Sequence, residues 1–120
     1  MNSYLYSGPF ESRLSRSARQ RRAESAIRSA GVPINVPIDR LTTTDQASAQ
    51  TCVCGPLTLL VSYATVVAYK HLDGSILATP RGHYSRTTDR TIDRFAGVSR
   101  VIRVGADRFF ECIRENFPPV

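Results

Sequence analysis

Tryptophan is absent from this 120-residue chain, and methionine and lysine occur once each, at Met1 and Lys70. No apolar run approaches the ~20 residues that span a bilayer, which argues against a transmembrane helix and for a partner set without membrane. The start of the chain lacks a basic stretch followed by a sustained apolar run. No secretory leader is read there, and a cytoplasmic location is expected. Cysteine is scarce: Cys52, Cys54 and Cys112 are an odd, small set, unsuited to a disulfide framework and at home in a reducing compartment. With His71 and His83 the cysteines are the only soft metal ligands, but a C-x-C pair is too tight for the usual zinc knuckle and the histidines stand far apart. No metal and no cofactor are expected. A phosphate loop, a nucleophile elbow and a pair of carboxylates in a cleft are all missing, so an enzyme is not expected.

What is present is arginine. The net charge is +6, and 15 of the 16 basic residues are arginine. Its planar fork pairs with phosphate and carboxylate, so a basic surface suits nucleic acid or an acidic protein partner. A GC-rich genome produces the same skew without any function. The 42% hydrophobic content is that of a globular protein, and the length suits one small domain with an arm.

Residues from about Phe10 to Ala30 read as a helix rich in Ala, Arg, Gln and Glu, ended by Gly31 and Pro33. Its apolar positions, Leu14, Ala18, Ala26, Ile27 and Ala30, are thin, so it either packs loosely or orders on a partner. Residues 31–50 read as a linker, with only a weak pattern for a short helix around Asp45–Ala49. Order should be densest from Leu57. Leu57, Leu59, Val61 and Tyr63 alternate as a half-buried strand, with Tyr63 on its apolar face. Val66–Leu72 is β-rich, Asp73-Gly74 supplies the positive φ angles of a tight hairpin, and Ser75–Thr79 returns. Ser85, Thr87 and Thr88 are alternative N-caps of a helix that buries Ile92, Phe95 and Ala96 and ends at Gly97. A further strand carries Val98, Ile102 and Val104 on one face. Asp107 then caps a last helix that buries Phe109, Phe110, Ile113 and Phe117. The expected fold is α+β: a small antiparallel sheet in the order β-β-β-α-β-α with packed helices and an Arg-rich N-terminal helix. The expected division is an N-terminal helix and linker over 1–50 and a compact domain over 51–120.

Two arginine groups are candidate binding residues. Arg13, Arg16, Arg19, Arg21, Arg22 and Arg28 crowd the first helix against only Glu11 and Glu24. Each arginine that meets a phosphate releases counterions and gives affinity without sequence choice. An acidic protein, or a plainly solvated face, fits the same pattern. Arg86, Arg90 and Arg94 repeat every four residues along one ridge of a later helix. Asp89 and Asp93, three residues after Arg86 and Arg90, are expected to pair with them and neutralise most of that ridge. This leaves Arg81 and Arg86 as its least neutralised members.

Ser62-Tyr63-Ala64-Thr65-Val66-Val67-Ala68, an Asp-Gly turn, and Tyr84-Ser85-Arg86-Thr87-Thr88 together resemble a module of small bacteriophage and mobile-element proteins. That module runs "SYxTxVA", a short hairpin, then "YSxTTxxH" into a helix, and it covers about a third of this chain. Thr91 stands where the module has histidine, so no role of that histidine carries over. The resemblance implies an origin and no reaction. The expected protein is a phage or mobile-element accessory protein that acts by binding, its Arg-rich helix contacting nucleic acid or a nucleoprotein. The alternative is a protein-binding inhibitor of a host defence complex.

Overall fold

The alternation that begins at Leu57 builds the centre of a six-stranded sheet. In this computed structural model, which describes residues 16–43 and 49–119, the strands lie side by side in chain order. They are β1 (Asp39–Thr43), β2 (Ala49–Cys54), β3 (Leu57–Ser62), β4 (Thr65–His71), β5 (Ile76–Ala78) and β6 (Val101–Arg103). Helices α1 (Arg16–Ser29), α2 (Arg86–Ala96) and α3 (Ala106–Glu115) complete an α+β fold. Among the described residues no helix is long and apolar enough to cross a membrane.

The expected order and purely antiparallel sheet need two corrections. First, β1 and β2 precede β3, so the segment read as a linker contains a strand, and the expected boundary after residue 50 falls inside β2. The weak helix pattern at Asp45–Ala49 lies mostly outside the described residues, and Ala49 itself opens β2. Second, β6 runs parallel to β5 while every other pair is antiparallel. The reason is the intervening helix: a parallel neighbour needs a crossover of a dozen or more residues, which the α2 segment supplies.

Tight turns set the register. Cys54 pairs with Leu57 across Gly55-Pro56, with Gly55 at φ +55°. Ser62 pairs with Thr65 across Tyr63-Ala64, and Tyr63 takes φ +56°. Glycine or asparagine is the usual choice there, and a side chain in that region costs roughly 1–2 kcal/mol. Tyr63 is therefore at a hairpin tip, half exposed, and not on the apolar strand face expected for it. At Asp73-Gly74 only glycine has positive φ, at +94°. Gly74 N donates to His71 O at 2.9 Å and His71 N to Ser75 O at 2.9 Å, a three-residue loop in place of the expected two-residue one. Asp73 Oδ1 accepts from Ser75 Oγ at 2.6 Å and Ser75 N at 2.8 Å, which lowers its pKa below the usual carboxylate value. Its contribution is present above the unfolded carboxylate's pKa and is lost as pH falls through the depressed folded one.

Both sheet faces are covered. Cys52, Cys54, Leu57, Leu59, Val61, Val66 and Tyr69 meet Ala26, Ile27, Ala30 and Val32 around α1, and Phe109 and Ile113 of α3. On the other face Ala49, Leu60, Val67, Ala68 and Ala78 meet Ile92 of α2, with Phe95 and Val101 at the margin. Val67 is an extra residue in β4, opposite the Leu60/Val61 step, so Val66 faces one cluster and Val67-Ala68 the other. Lys70 Nζ lies 5.3 Å from the Phe95 ring centroid and helps seat α2. Tyr69 packs on Phe109 at 5.7 Å, and burial pushes its phenol up to about 12.

The first helix is anchored more firmly than its thin apolar pattern implied. Ala23, Ala26, Ile27 and Ala30, at i, i+3, i+4 and i+7, are all buried, Ile27 completely. Its end is a Schellman motif: Val32 N donates to Ile27 O at 3.4 Å and Gly31 N to Arg28 O at 3.1 Å. Helix α2 is capped by Ser85, whose Oγ accepts from Thr88 N at 3.1 Å, and closed by Gly97 at φ +62°. Helix α3 starts at Gly105 without a side-chain cap, and Asp107 sits within its first turn instead of capping it. Strand β6 is shorter than expected. Val98 is fully exposed and Ile102 half exposed, so neither belongs to a buried face with Val104.

Gly31 has φ +113°, and a Cβ there would run into the Arg114 side chain of α3. Gly31→Ala should destabilise the fold by at least about 1 kcal/mol in a urea titration. An unchanged midpoint would contradict this packing of α1 against α3.

Candidate functional site

The two predicted arginine groups do not meet. Arg13 lies outside the described residues. Arg16 opens α1, its side chain also outside them. Arg19 and Arg22 are half-buried along α1, and Arg21 is exposed. Arg28 is half-buried, and its Nη1 donates to Pro33 O, tying it to the loop after the helix. Arg21, Glu24, Ser25 and Arg28 line an open groove of about 480 Å³ with Ile34 and Ile38. All of this is on the α1 face of the sheet. Arg81 and Arg86 belong to the opposite face, with α2.

On α2 the charges pair differently from the sequence expectation. Asp89 and Asp93 turn away from Arg86 and Arg90 and toward Arg103 of β6. Arg103 Nη1 lies 3.5 Å from Asp89 Oδ1, Nη2 lies 3.5 Å from Asp93 Oδ1, and Nη1 donates to Thr79 O at 3.0 Å. Asp93 Oδ1 also accepts from Arg81 Nη2 at 3.0 Å, and Asp89 Oδ2 from Gly82 N at 2.9 Å. Arg81 is thus paired, contrary to the expectation that it is among the least neutralised. Among the described residues Arg86 and Arg90 have no carboxylate partner, and both are exposed. Helix α3 shows the opposite outcome: Arg108 reaches Glu111 at 2.8 Å and Glu115 at 2.9 Å on its own surface.

The two halves of the Ser/Tyr/Thr pattern come together at the start of α2. Ser62 Oγ lies 3.2 Å from Thr88 Oγ1, which in turn accepts from Ser85 Oγ at 3.2 Å. The chain of hydroxyls is internally satisfied, so its first task is to fix the β3–β4 tip against the helix. Tyr63 follows Ser62 at that tip, and Tyr84 precedes Ser85. Tyr84 is half exposed, meets His83 edge-on at 4.6 Å, and its phenol is pushed up by burial. Thr91 is buried, its Oγ1 donating to Thr87 O at 2.9 Å. The role of Arg103 and the exposure of Tyr63 left no mark in local spacing, because both depend on tertiary partners. Arg90 was visible as a ridge position, but the nearby aspartates masked its freedom.

Among the described residues no group of three His, Cys, Asp or Glu side chains is placed to hold a metal. Cys52 and Cys54 are free thiols buried on one face of β2, Sγ to Sγ 3.8 Å. The hydrogen bond between them holds the Cys52 thiol well above its usual value, with burial adding to the shift, and lowers Cys54. His71 Nδ1 accepts from Asp73 N at 3.1 Å in the β4–β5 loop. No known protein family, curated protein or solved structure matches the chain.

In the native protein a bulky disulfide reagent should modify Cys112, which is half-buried, well before Cys52 and Cys54, and all three thiols should react after unfolding. Equally fast native labelling of all three would contradict the buried β2 pair.

Proposed function

We propose that this chain is a small accessory protein of a bacteriophage or mobile element that acts by binding, presenting arginine to nucleic acid or a nucleoprotein. One observation carries the reading. The carboxylates of α2 are held by Arg103 and Arg81, so Arg86 and Arg90 face solvent with no carboxylate partner among the described residues, in a chain of net charge +6. Unpaired guanidinium groups one helical turn apart match neighbouring phosphates and give salt-dependent affinity. Arg21 on the opposite side of the sheet supplies a second, weaker basic patch with the groove beside it. The phage or mobile-element context rests on the Ser62…Thr88 pattern, whose two halves touch and therefore behave as one unit.

A protein-binding inhibitor is supported by a different observation: Val98, just before the short strand β6, and Ile102, within it, are both exposed at the end of the sheet. Its mark is co-purification with one host complex that survives nuclease.

Affinity for DNA and RNA should fall steeply as salt rises. Arg86→Ala/Arg90→Ala should weaken binding and flatten the log–log salt slope by about 0.7–0.9 for each phosphate contact removed, with an unchanged circular dichroism spectrum. A wild-type protein that binds neither polymer even at low salt would sink the nucleic-acid reading.

A further inference from the structure

We infer that the α2 face takes an unpaired nucleic-acid strand, its bases stacking on Tyr63 and Tyr84 and its phosphates meeting Arg86 and Arg90. This deepens the binding reading above and rests on it. Two facts bring the two tyrosine positions to the start of α2, where Arg86 lies. The hydrogen bond between Ser62 and Thr88, 3.2 Å, places the β3–β4 tip against the first turn of α2, and Tyr63 is the next residue of that tip. Tyr84 leads directly into the same turn through Ser85 and Arg86. Both rings are substantially exposed, Tyr63 at 45% and Tyr84 at 40%.

Neither tyrosine is where the fold alone would put it. Tyr63 occupies a left-handed turn position, φ +56°, that glycine fills without strain, and its ring lies outside both core clusters. An outlier of this kind, held by its surroundings, points to use of the side chain. Among the described residues Tyr84 has only His83 as an aromatic neighbour, and it likewise packs into neither cluster. An aromatic face accepts any base, while guanidinium groups track the backbone; together they favour an unpaired strand over a duplex, whose bases are already stacked. The hydroxyls of Ser62, Ser85 and Thr88 are occupied with one another, so the surface has little with which to tell ribose from deoxyribose.

The test measures fluorescence anisotropy of labelled mixed-sequence 20-mers, single-stranded DNA, single-stranded RNA and duplex DNA, over several salt concentrations. Single strands of both kinds should bind more tightly than duplex. Tyr63→Gly, which removes the ring and relieves the turn, should leave the melting temperature unchanged or raised and weaken single-strand binding about five-fold or more. Tyr84→Leu should do the same. Both should leave the salt slope unchanged, whereas Arg86→Ala/Arg90→Ala should flatten it by about 1.4 on a single strand. Tighter binding of duplex, or tyrosine variants that bind like wild type, would overturn this inference while the binding reading stands. Binding lost through Arg21→Ala and untouched by Arg86→Ala/Arg90→Ala would also overturn it, by moving the interface to the α1 face. No binding to any of the three probes would overturn both.

Discussion

Arg103 holds together the parts of the structure that the strand hydrogen bonds leave weak. Strands β5 and β6 are three residues each, and among the described residues β6 pairs only with β5. A parallel pair this short needs side-chain support. Arg103 supplies it by bonding the carbonyl of Thr79, just beyond β5, and by lying 3.5 Å from both Asp89 and Asp93 of α2. One guanidinium thus ties the end of β5, the edge strand and the crossover helix. Its side chain is only 20% exposed and that of Asp89 13%, so solvent screens this contact less than a surface ion pair. The same contact sets the charge of the outer surface. Carboxylates committed inward to Arg103 are unavailable to Arg86 and Arg90, and the α2 ridge stays basic.

The sheet divides the arginines into two populations with different duties. Those of α1 lie over the larger core. Ala23, Ala26, Ile27 and Ala30 seat that helix, Arg28 binds the Pro33 carbonyl, and Arg19 and Arg22 are half-buried. Replacing the whole group at once would therefore disturb packing along with charge. On the α2 side Arg81 holds Asp93, while among the described residues Arg86 and Arg90 have no carboxylate partner. Arg86 and Arg90 are exposed and belong to neither core cluster, so they can be changed with little effect on the core.

Much of the centre was legible in the sequence because its signals are local. Leu57, Leu59 and Val61 alternate, Ser85 caps, Gly97 and Gly31 terminate, and Ile92 with Ala96 marks an apolar stripe. Strands β1 and β2 were not legible. Their buried residues are Ala49, Gln50, Cys52 and Cys54, a weak apolar pattern that becomes a strand only when β3 offers its edge. The anchorage of α1 was underestimated for a related reason: alanines bury little area each, and their value lies in letting the helix approach the sheet closely. Tyr63 was misplaced by one position, because alternation continued past Ser62 into what is a turn. Of the candidate site, the arginines were visible but their pairing was not. Spacing along a helix ranks Arg86 and Asp89 as neighbours, and it contains nothing about an arginine arriving from β6.

The most direct test of this account is a pair of double-mutant cycles on unfolding free energy, one with Arg103→Gln and Asp89→Asn, the other with Arg86→Gln and Asp89→Asn. Groups in one ion-pair network couple by roughly 0.5–3 kcal/mol, while independent sites add within about 0.3–0.5 kcal/mol. The account predicts coupling of about 1 kcal/mol in the Arg103 cycle and additivity in the Arg86 cycle. Coupling between Arg86 and Asp89 with additivity between Arg103 and Asp89 would contradict it, and would mean that the α2 ridge neutralises itself.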